Sequence, residues 1–437
     1  QKTTVSRCIS LSISALPCPS KQIKIKIMPL FFNNIDRQPK DAIFGILEAY
    51  KTDSASNKVN LSVGAYRTGA GRPKVLNSVR LAEVYIAEAN YNKEYLSQDG
   101  SRAFQHAAQK LLFGDDNPLL TSGRLCTIQS ISGTGALRLS FTALRRFLPD
   151  AHVAIPNPTW GNHKQILNDL IFIYSTYAYY DHHTRGLSFD KLIADLVVLK
   201  EGTIVLFHMC AHNPTGVDPT QKQWRKIIAT ITAHKLFPVF DAAYQGFASG
   251  DLDKDAFAVR HFASTGYEGI VCQSFAKNFG LYGERIGAAH FICRDKPQAK
   301  IVRSHLKRIV RTMYSNPPLH GSRIIERIVN DKSLRAEWYK ECKHMANRMH
   351  KMRAKLHQGF VERNTPGNWD HVIKQIGMFC FTGLTPPQVD MLRHKYHIYM
   401  LKNGRISVSG LTNANIDYVV TAIDDVINIT MKNVSKL

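Results

Sequence analysis

Short apolar runs, each followed at once by a polar cluster, set the main constraint on how this chain of 437 residues folds. The runs span residues 126–131, 152–155, 203–207, 237–240 and 269–272, and helical patterns separate them. Short strands that alternate with helices are typical of βαβ units around a mostly parallel sheet. Ligands bind such sheets at the carboxyl ends of the strands. The sequence therefore predicts a doubly wound α/β protein whose polar clusters meet at one site.

The chain is longer than one hydrophobic core usually organises, so we expect a large domain and a smaller one. Helix breakers are scarce from residue 324 to residue 360, which predicts a long connecting helix into a C-terminal α/β unit. No apolar run approaches the roughly 20 residues that a membrane helix needs, so we expect a soluble protein.

The formal net charge of +23 is compatible with nucleic acid, an anionic membrane surface or acidic substrates as partners. The basic residues are spread along the chain without a recognisable nucleic-acid-binding motif, which disfavours the first. The eight cysteines form no C-x-x-C pair and are not spaced with histidines as zinc ligands are. This pattern fits a reducing compartment, and we expect neither disulfides nor a metal.

Residues 1–27 are rich in Ser, Lys and Arg and contain no Asp or Glu, as transit peptides do. The alternative is an untranslated or cloned leader, because the chain begins with Gln1 and Met28 would be a natural start. We expect a cytoplasmic protein if Met28 is the start, and a mitochondrial one if residues 1–27 are a transit peptide.

The stretch SGTGAL, which contains Ser132, Gly133 and Thr134, follows an apolar run and opens a helical pattern. Backbone N–H groups, a hydroxyl and the positive end of a helix dipole suit a phosphate. The stretch matches neither common phosphate-binding glycine motif, so a simple turn is the alternative.

Lys277 follows the run at 269–272 in the tetrad SFAK. A solvated loop lysine is one interpretation. A lysine at the edge of a buried crevice that forms a Schiff base is another. The tetrad also fits the S-x-x-K of serine β-lactamases, but neither S-D-N nor K-T-G occurs downstream, which excludes that class.

Asp241 closes the run at 237–240, and Tyr244 follows three residues later. A helix cap or a metal ligand are ordinary roles for such an Asp. An Asp that faces a pyridinium nitrogen, together with a Schiff-base lysine, is the recurring device of pyridoxal enzymes. His208, His212 and Asn213 lie in HMCAHNPTG, where a turn accounts for Pro214 and Gly216 but not for the polar side chains.

In order and wording these clusters resemble the aspartate aminotransferase family, of fold type I among pyridoxal-phosphate enzymes. The resemblance runs from about residue 43 to 426 and rests on VNLSVGAYR, EYL, ISGTGALR, PNPTWGNH, AHNPTG, FDAAYQGFASG, QSFAKNFGLYGERIG, YSNPP and NGRISVSGLT. It implies a leader at 1–27, a large cofactor-binding domain at 74–344, and a small domain formed by residues 28–73 and 345–437.

The resemblance implies that Lys277 holds pyridoxal phosphate as a Schiff base and then moves the substrate proton. It implies that Asp241 keeps the pyridine nitrogen protonated, and that Asn213 and Tyr244 hydrogen-bond the phenolic oxygen. The remaining cofactor contacts that it implies are a stacking Trp160, a phosphate cradle of Gly133, Thr134, Ser274 and Arg285, Tyr95 reaching the phosphate from the partner subunit, and His163 and His208 orienting Asp241.

Arg405 matches the arginine that clamps the substrate α-carboxylate, and Arg311 matches the one from the neighbouring subunit that takes a distal carboxylate. Gly64, Trp160 and Asn213 complete the implied substrate contacts. We therefore expect a homodimer that transfers the amino group from L-aspartate to 2-oxoglutarate, giving oxaloacetate and L-glutamate, with no nucleic-acid or membrane partner. The alternative is an aminotransferase that also accepts aromatic amino acids or kynurenine, since an arginine can swing out of a pocket.

Three positions depart from the family pattern. Gly283 replaces an asparagine, Gly161 replaces an acidic residue, and the segment between Arg145 and Val153 is short. None is a catalytic position, so they bear on loop shape and substrate breadth. A binding protein that kept the fold and lost the chemistry is disfavoured, because all five of Lys277, Asp241, Tyr244, Arg285 and Arg405 are present.

Overall fold

The computed structural model describes residues 42–434, together with residues 32 and 35–37. The chain divides into residues 1–40 and 41–437, and every element below belongs to the second unit. Its strands are β1 Val59–Asn60, β2 Leu125–Ile131, β3 Val153–Asn157, β4 Tyr174–Ala178, β5 Tyr180–Asp181, β6 Gly186–Leu187, β7 Ile204–His208, β8 Phe237–Ala242, β9 Gly269–Ser274, β10 Ile286–Ile292, β11 Phe379–Phe381, β12 Ile398–Tyr399 and β13 Arg405–Ser407. Its α-helices are α1 Ala42–Thr52, α2 Asn77–Glu88, α3 Arg102–Phe113, α4 Ser132–Phe147, α5 Gly161–Asp169, α6 Phe189–Val197, α7 Gln221–Ala233, α8 Leu252–Asp255, α9 Phe257–Ser264, α10 Lys296–Met313, α11 His320–Asn330, α12 Lys332–Glu362, α13 His371–Lys374, α14 Pro386–Tyr396 and α15 Ile416–Val434.

A sheet of seven strands in the order β2-β10-β9-β8-β7-β3-β4 forms the centre of the protein. The neighbours from β9 to β4 are parallel, and β10 lies antiparallel between β2 and β9. The predicted strand runs all lie in this sheet, which is mostly parallel as expected. β4 and β10 were not predicted, because the Gly and Ala at the start of IGAAHFI and the polar YSTYA weaken their apolar pattern.

Alternate side chains along each central strand enter two separate cores, one on each face of the sheet. In β7, Val205 and Phe207 pack into one core, whereas Ile204 and Leu206 pack into the other. Helices α3, α7 and α9 cover the first face, and α4, α5 and α10 cover the second. Burial on both faces explains why these strands are almost wholly apolar.

The strand register brings the polar clusters together at one edge of the sheet. His208, the last residue of β7, pairs with Asp241 in β8, which in turn pairs with Cys272 in β9. β2 ends at Ile131, where α4 begins, and Lys277 lies three residues beyond the end of β9. The sheet therefore delivers the predicted site residues to its carboxyl edge.

Two small two-stranded sheets lie outside the central one. β1 pairs in parallel with β12, and β11 pairs antiparallel with β13 so that Phe381 lies opposite Arg405. Residues near the start of the described chain thus pair with residues near its end. The domain boundaries remain a prediction, and α12 runs without a break across the boundary at 344. The predicted leader lies outside the described residues.

The prediction of one helix over 324–360 was wrong in detail, because two helices cover this stretch. α11 ends at Asn330, and the Asp331 side chain accepts hydrogen bonds from the backbone N–H groups of Ser333 and Leu334, which caps the start of α12. In the described part of the chain, no helix is long and apolar enough to cross a membrane, and no group of three His, Cys, Asp or Glu side chains is arranged to hold a metal.

The N-terminus of α2 is capped by a side chain from another helix. Leu76 at the N-cap provides no side-chain acceptor, and Glu341 of α12 takes its place. Its carboxylate accepts from the N–H of Asn77 at 2.8 Å, from the N–H of Ser78 at 3.1 Å and from the Ser78 hydroxyl at 2.6 Å. Replacing Glu341 by Ala leaves these buried donors without an acceptor, so we expect the free energy of unfolding to fall by about 1–3 kcal/mol.

Urea unfolding of the two proteins measures this difference. Glu337→Ala, on the same helix, removes a carboxylate that makes no such cap, and we expect its effect to stay within about 0.5 kcal/mol. Equal stability of Glu341→Ala and the unchanged chain would contradict the capping role.

Candidate active site

The first wall of the site is the turn from β2 into α4. Ser132 adopts a positive φ of 60°, and its hydroxyl lies 3.2 Å from that of Ser274. A Cβ atom at Gly133 would come within 2.9 Å of Ser274 Cβ, so only glycine leaves the backbone N–H groups accessible here. Thr134 lies in the same first turn, and the Arg285 carbonyl accepts from the Ser132 N–H at 3.1 Å. Hydroxyls, helix N-terminus and arginine together form a pocket suited to a phosphate.

Lys277 projects from the segment after β9, and its Nζ lies 5.0 Å from the ring centre of Tyr244. Burial lowers the pKa of the Lys277 amine; Asp241 opposes this effect, whereas the positive charges of Arg285 and Arg405 add to it. The lowered pKa increases the fraction of neutral amine, which is the nucleophilic and basic form.

Asp241 is buried at the end of β8, where its Oδ2 accepts a hydrogen bond of 3.1 Å from His163 Nε2. Burial acts to raise the pKa of this carboxyl, but the hydrogen bond from His163 and the nearby Lys277 hold it below its ordinary value. Asp241 is therefore an ionised carboxylate at neutral pH.

A chain of hydrogen bonds fixes the proton that His163 donates. Burial lowers the pKa of His208 to about 3, so its ring is neutral. Its Nδ1 accepts from the Asn213 N–H at 3.5 Å, which leaves its proton on Nε2, 3.0 Å from Thr159 Oγ1. Thr159 then donates its own proton to His163 Nδ1 at 2.8 Å. This assignment of tautomers directs the Nε2–H of His163 to Asp241 Oδ2.

Arg405 is a buried cation on the opposite side of the cavity, 2% exposed. Its Nη1 donates to Asn213 Oδ1 at 3.1 Å and its Nη2 to the Ser62 carbonyl at 2.8 Å. Because Asn213 accepts through its oxygen, its amide N–H groups point away from Arg405, towards the Tyr244 hydroxyl and the cavity. Burial lowers the pKa of Arg405 to about 10, which leaves it charged at neutral pH.

These side chains surround a cavity of about 210 Å³. Among the described residues no carboxylate pairs with Arg405, and its buried Nε has no hydrogen-bond partner. Three cations, Lys277, Arg285 and Arg405, thus face one anion, Asp241. The orphaned Nε, the cradle at Gly133 and this excess of positive charge fit a small phosphorylated group together with a carboxylate.

Most of the predicted site residues come together in this cavity. Its lining includes Gly64, Gly133, Thr134, Trp160, Asn213, Asp241, Tyr244, Ser274, Lys277, Arg285 and Arg405. His163 and His208 lie behind Asp241. Arg311 and Tyr95 do not line the cavity: Arg311 is exposed at the end of α10, where it bonds to Ser315, and Tyr95 is 89% exposed.

Ser132, named with the SGTGAL stretch, lines the cavity, whereas sequence reasoning missed Thr159, Tyr282 and Phe379. Thr159 lies within a quoted motif, and its placement next to Trp160 was an available signal. Tyr282 accepts a hydrogen bond from the Tyr66 N–H at 2.8 Å, and nothing in its local sequence indicates this long-range contact.

Residues 56–423 of the chain match the family of aminotransferases of class I and II. The chain belongs to this family. It is 48% identical over 397 residues to a mitochondrial aspartate aminotransferase of Xenopus tropicalis, covering 91% of this chain and 93% of that one. Among solved structures it is similar to an aspartate aminotransferase from the cytoplasm of Saccharomyces cerevisiae, with a TM-score of 0.90 and 42% identity over 91% of this chain and 99% of that one.

An aromatic-amino-acid aminotransferase from Burkholderia pseudomallei, covalently bound to pyridoxal phosphate, is also similar, with a TM-score of 0.88 and 41% identity over 91% of this chain and 99% of that one. The predicted family and the predicted fold class are confirmed by these aminotransferases.

The hydrogen-bond chain yields a prediction for Thr159. Thr159→Val removes the hydroxyl that links His208 to His163, so Asp241 loses part of the support for its charge and its pKa rises. We expect the transamination rate constant to fall about tenfold, the effect of about 1.4 kcal/mol, which is typical for a buried group left unsatisfied. The acid limb of the rate profile should move to higher pH.

Rates measured across pH on Thr159→Val and Thr159→Ser test this. The serine keeps the hydroxyl, so it should retain most of the rate and the original acid limb. A Val variant with an unchanged pH profile would refute the chain.

Proposed function

We propose that this chain is a pyridoxal-phosphate-dependent aspartate aminotransferase. It transfers the amino group of L-aspartate to 2-oxoglutarate by a ping-pong mechanism and yields oxaloacetate and L-glutamate. The observation that carries the proposal is the buried Arg405 guanidinium, without a carboxylate partner in the described residues, in the same cavity as Lys277 and the ionised Asp241. The family membership and the relatives named aspartate aminotransferase support it.

The residues at the sheet edge are placed to hold the cofactor. The first turn of α4, with Gly133 and Thr134, takes the phosphate together with Ser274 and Arg285, and Lys277 holds the cofactor covalently. When bound, pyridoxal phosphate supplies an electron sink for the pair of electrons that remains when the substrate Cα proton is removed.

Other residues set the direction of the cofactor ring. The ionised Asp241 would accept a hydrogen bond from the ring nitrogen, and Trp160, which also lines the cavity, would pack against the ring. Asn213 donates through the amide N–H that its bond to Arg405 leaves available, and the Tyr244 hydroxyl donates beside it. Burial raises the pKa of Tyr244, so this hydroxyl keeps its proton at neutral pH.

Lys277 has a second role as the proton carrier. With its pKa lowered, the amine would accept the proton from the substrate Cα at its Nζ and hold it for the later return. The positive charges of Arg285 and Arg405 add to the effect of burial and favour the neutral form of this amine.

Arg405 binds the substrate α-carboxylate through its free Nε and the fork of its guanidinium. Gly64 leaves room beside it, since a Cβ there would lie 3.0 Å from Phe379 Cζ. Arg311 of the neighbouring subunit takes the distal carboxylate of the dicarboxylate.

A homodimer is part of the proposal, and it is supported by Arg311 and Tyr95, which are exposed and lie outside the cavity of their own chain. The base of the Tyr95 segment is held in place, because Asn316 donates to the Leu96 carbonyl and Arg303 pairs with Asp99 at 2.9 Å. Tyr95 therefore faces outward from an anchored segment, which suits a contact with the phosphate site of a second copy of the chain.

The alternative is a broader range that includes aromatic amino acids or kynurenine. The exposure of Arg311 at a helix end favours it, because such a side chain is free to swing away from an aromatic substrate. The Burkholderia pseudomallei relative is named for aromatic amino acids.

The compartment is proposed in two forms. The chain is cytoplasmic if its native start is Met28, and mitochondrial if residues 1–27 are a targeting segment. Similar proteins are named for both compartments. The N-terminal residue of the native protein decides between the two.

Replacing Lys277 by Ala removes both the covalent link and the base. We expect the steady-state rate with aspartate and 2-oxoglutarate to fall at least ~10³-fold, in the range of general acid–base catalysis. The cofactor absorbance band should be retained by the unchanged protein after gel filtration and lost by the variant. A variant with normal turnover would refute the role of Lys277, and an unchanged protein without any such band would refute the cofactor.

Hybrid dimers test the shared site and Arg311 together. Lys277→Ala and Arg311→Ala homodimers should each be poor with aspartate, whereas mixed subunits should regain activity. One site in each hybrid then contains Lys277 from one chain and Arg311 from the other.

If all site residues came from one chain, mixing would restore nothing, and this would contradict the dimer. The ratio of the rates on aspartate and tyrosine in Arg311→Ala reports the substrate class. An unchanged ratio would contradict the role of Arg311, whereas comparable rates on aspartate and tyrosine in the unchanged protein would favour the broad-range alternative.

A further inference from the structure

Arg353 on α12 is a buried cation that the proposed reaction does not use. Its side chain is 1% exposed, and no carboxylate in the described part of the chain pairs with it. Its guanidinium donates instead to three backbone carbonyls: Nη1 to Val372 at 3.1 Å, and Nη2 to Gly377 at 3.1 Å and to Phe379. Its Nε has no hydrogen-bond partner among the described residues, so these three bonds from the Nη atoms are what compensates the buried charge, and the three carbonyls are held in place.

The segment held by Arg353 ends in the aromatic wall of the substrate site. The Phe379 ring centre lies 4.1 Å from Cζ of Arg405, and its edge meets the Tyr244 ring at a centroid distance of 5.8 Å. A guanidinium and an aromatic face attract each other at this distance, which sets the plane of the guanidinium.

The same segment also packs against the loop that carries Asn213. Ile376 donates its N–H to the Gly216 carbonyl at 2.7 Å. A Cβ atom at Gly216 would come within 2.8 Å of the Phe379 carbonyl oxygen and 2.9 Å of that of Ile376. With so little room, a shift of the segment would displace two of the three contacts of Arg405, the ring of Phe379 and the amide of Asn213, and would leave its bond to the Ser62 carbonyl.

We propose that Arg353 is a positioning residue for carboxylate recognition. By holding the carbonyls of the segment from Val372 to Phe379, it fixes the Phe379 ring against Arg405 and thereby the direction of the guanidinium N–H groups. The proposal rests on the proposed function, because that function identifies amino and oxo acids as the ligands.

The first test is Arg353→Lys, which keeps the charge but has no planar fork to reach three carbonyls. We expect KM for both aspartate and 2-oxoglutarate to rise about five- to tenfold with kcat within about twofold, since binding in the ground state and in the transition state weakens equally. The matched control is Arg348→Lys on the same helix, whose arginine bonds to the carbonyls of Thr68, Ser409 and Leu411. It should leave KM within about twofold even where thermal stability falls.

A double-mutant cycle with Phe379→Leu tests the route. If Arg353 acts through Phe379, the double variant should have a KM no higher than the larger of the two single changes. Effects that multiply, or a folded Arg353→Lys protein with unchanged KM, would overturn the proposal.

A binding measurement separates this inference from the proposed reaction. Succinate, a dicarboxylate without an amino group, should raise the melting temperature of the unchanged protein more than that of Arg353→Lys, and equal shifts would overturn the inference. An unchanged protein without transaminase activity would refute the proposed function, while the comparison with succinate would still decide the role of Arg353.

Discussion

An ionised carboxylate inside the protein, that of Asp241, is the constraint on which the site depends. A buried charge is stable only with a partner, and here the partner is the N–H of His163. That N–H faces Asp241 because the other ring nitrogen of His163, Nδ1, is bonded to the Thr159 hydroxyl, which is in turn bonded to His208. Asp241 lies in β8 and His208 in β7, while His163 lies in α5 and Thr159 just before it. The pairing of β7 with β8 places His208 beside Asp241, so the ionised carboxylate depends on the register of the sheet.

The long helix α12 joins several functional segments. Glu341 caps α2, and the Trp338 indole N–H donates to the carbonyl of Asn278, next to Lys277, at 2.9 Å. Further along, Arg353 holds the segment that ends at Phe379. One helix thus anchors the start of α2, the lysine segment and the aromatic wall of the substrate site, all through side-chain bonds to backbone groups.

Local patterns alone predicted the sheet, whereas most of the cavity residues, such as Trp160 and Arg405, were implied by the family resemblance. Apolar runs predicted the central strands, and the polar residues that follow those runs include Asp241 and Lys277. β10 escaped prediction because its place between β2 and β9 comes from long-range pairing. The helix break at Asp331 depends on one capping side chain, and the helical pattern of apolar residues continues on both sides of it. Arg353 escaped because its carbonyl partners lie 19 to 26 residues away and are ordinary in composition. Thr159 lies close to His163 in sequence, but its second partner, His208, is 49 residues away.

The cavity combines Lys277, Arg285 and Arg405 with a single carboxylate, and this balance affects how the protein must be handled. A site with surplus positive charge attracts whatever small anion surrounds it. Inorganic phosphate and sulfate resemble the group that the first turn of α4 is shaped to receive, and they are common in buffers and precipitation steps. If the cofactor is removed in a phosphate or sulfate buffer, these ions would bind in its place and compete with it in later measurements. The anions present during purification therefore determine what fills the cavity of the cofactor-free protein.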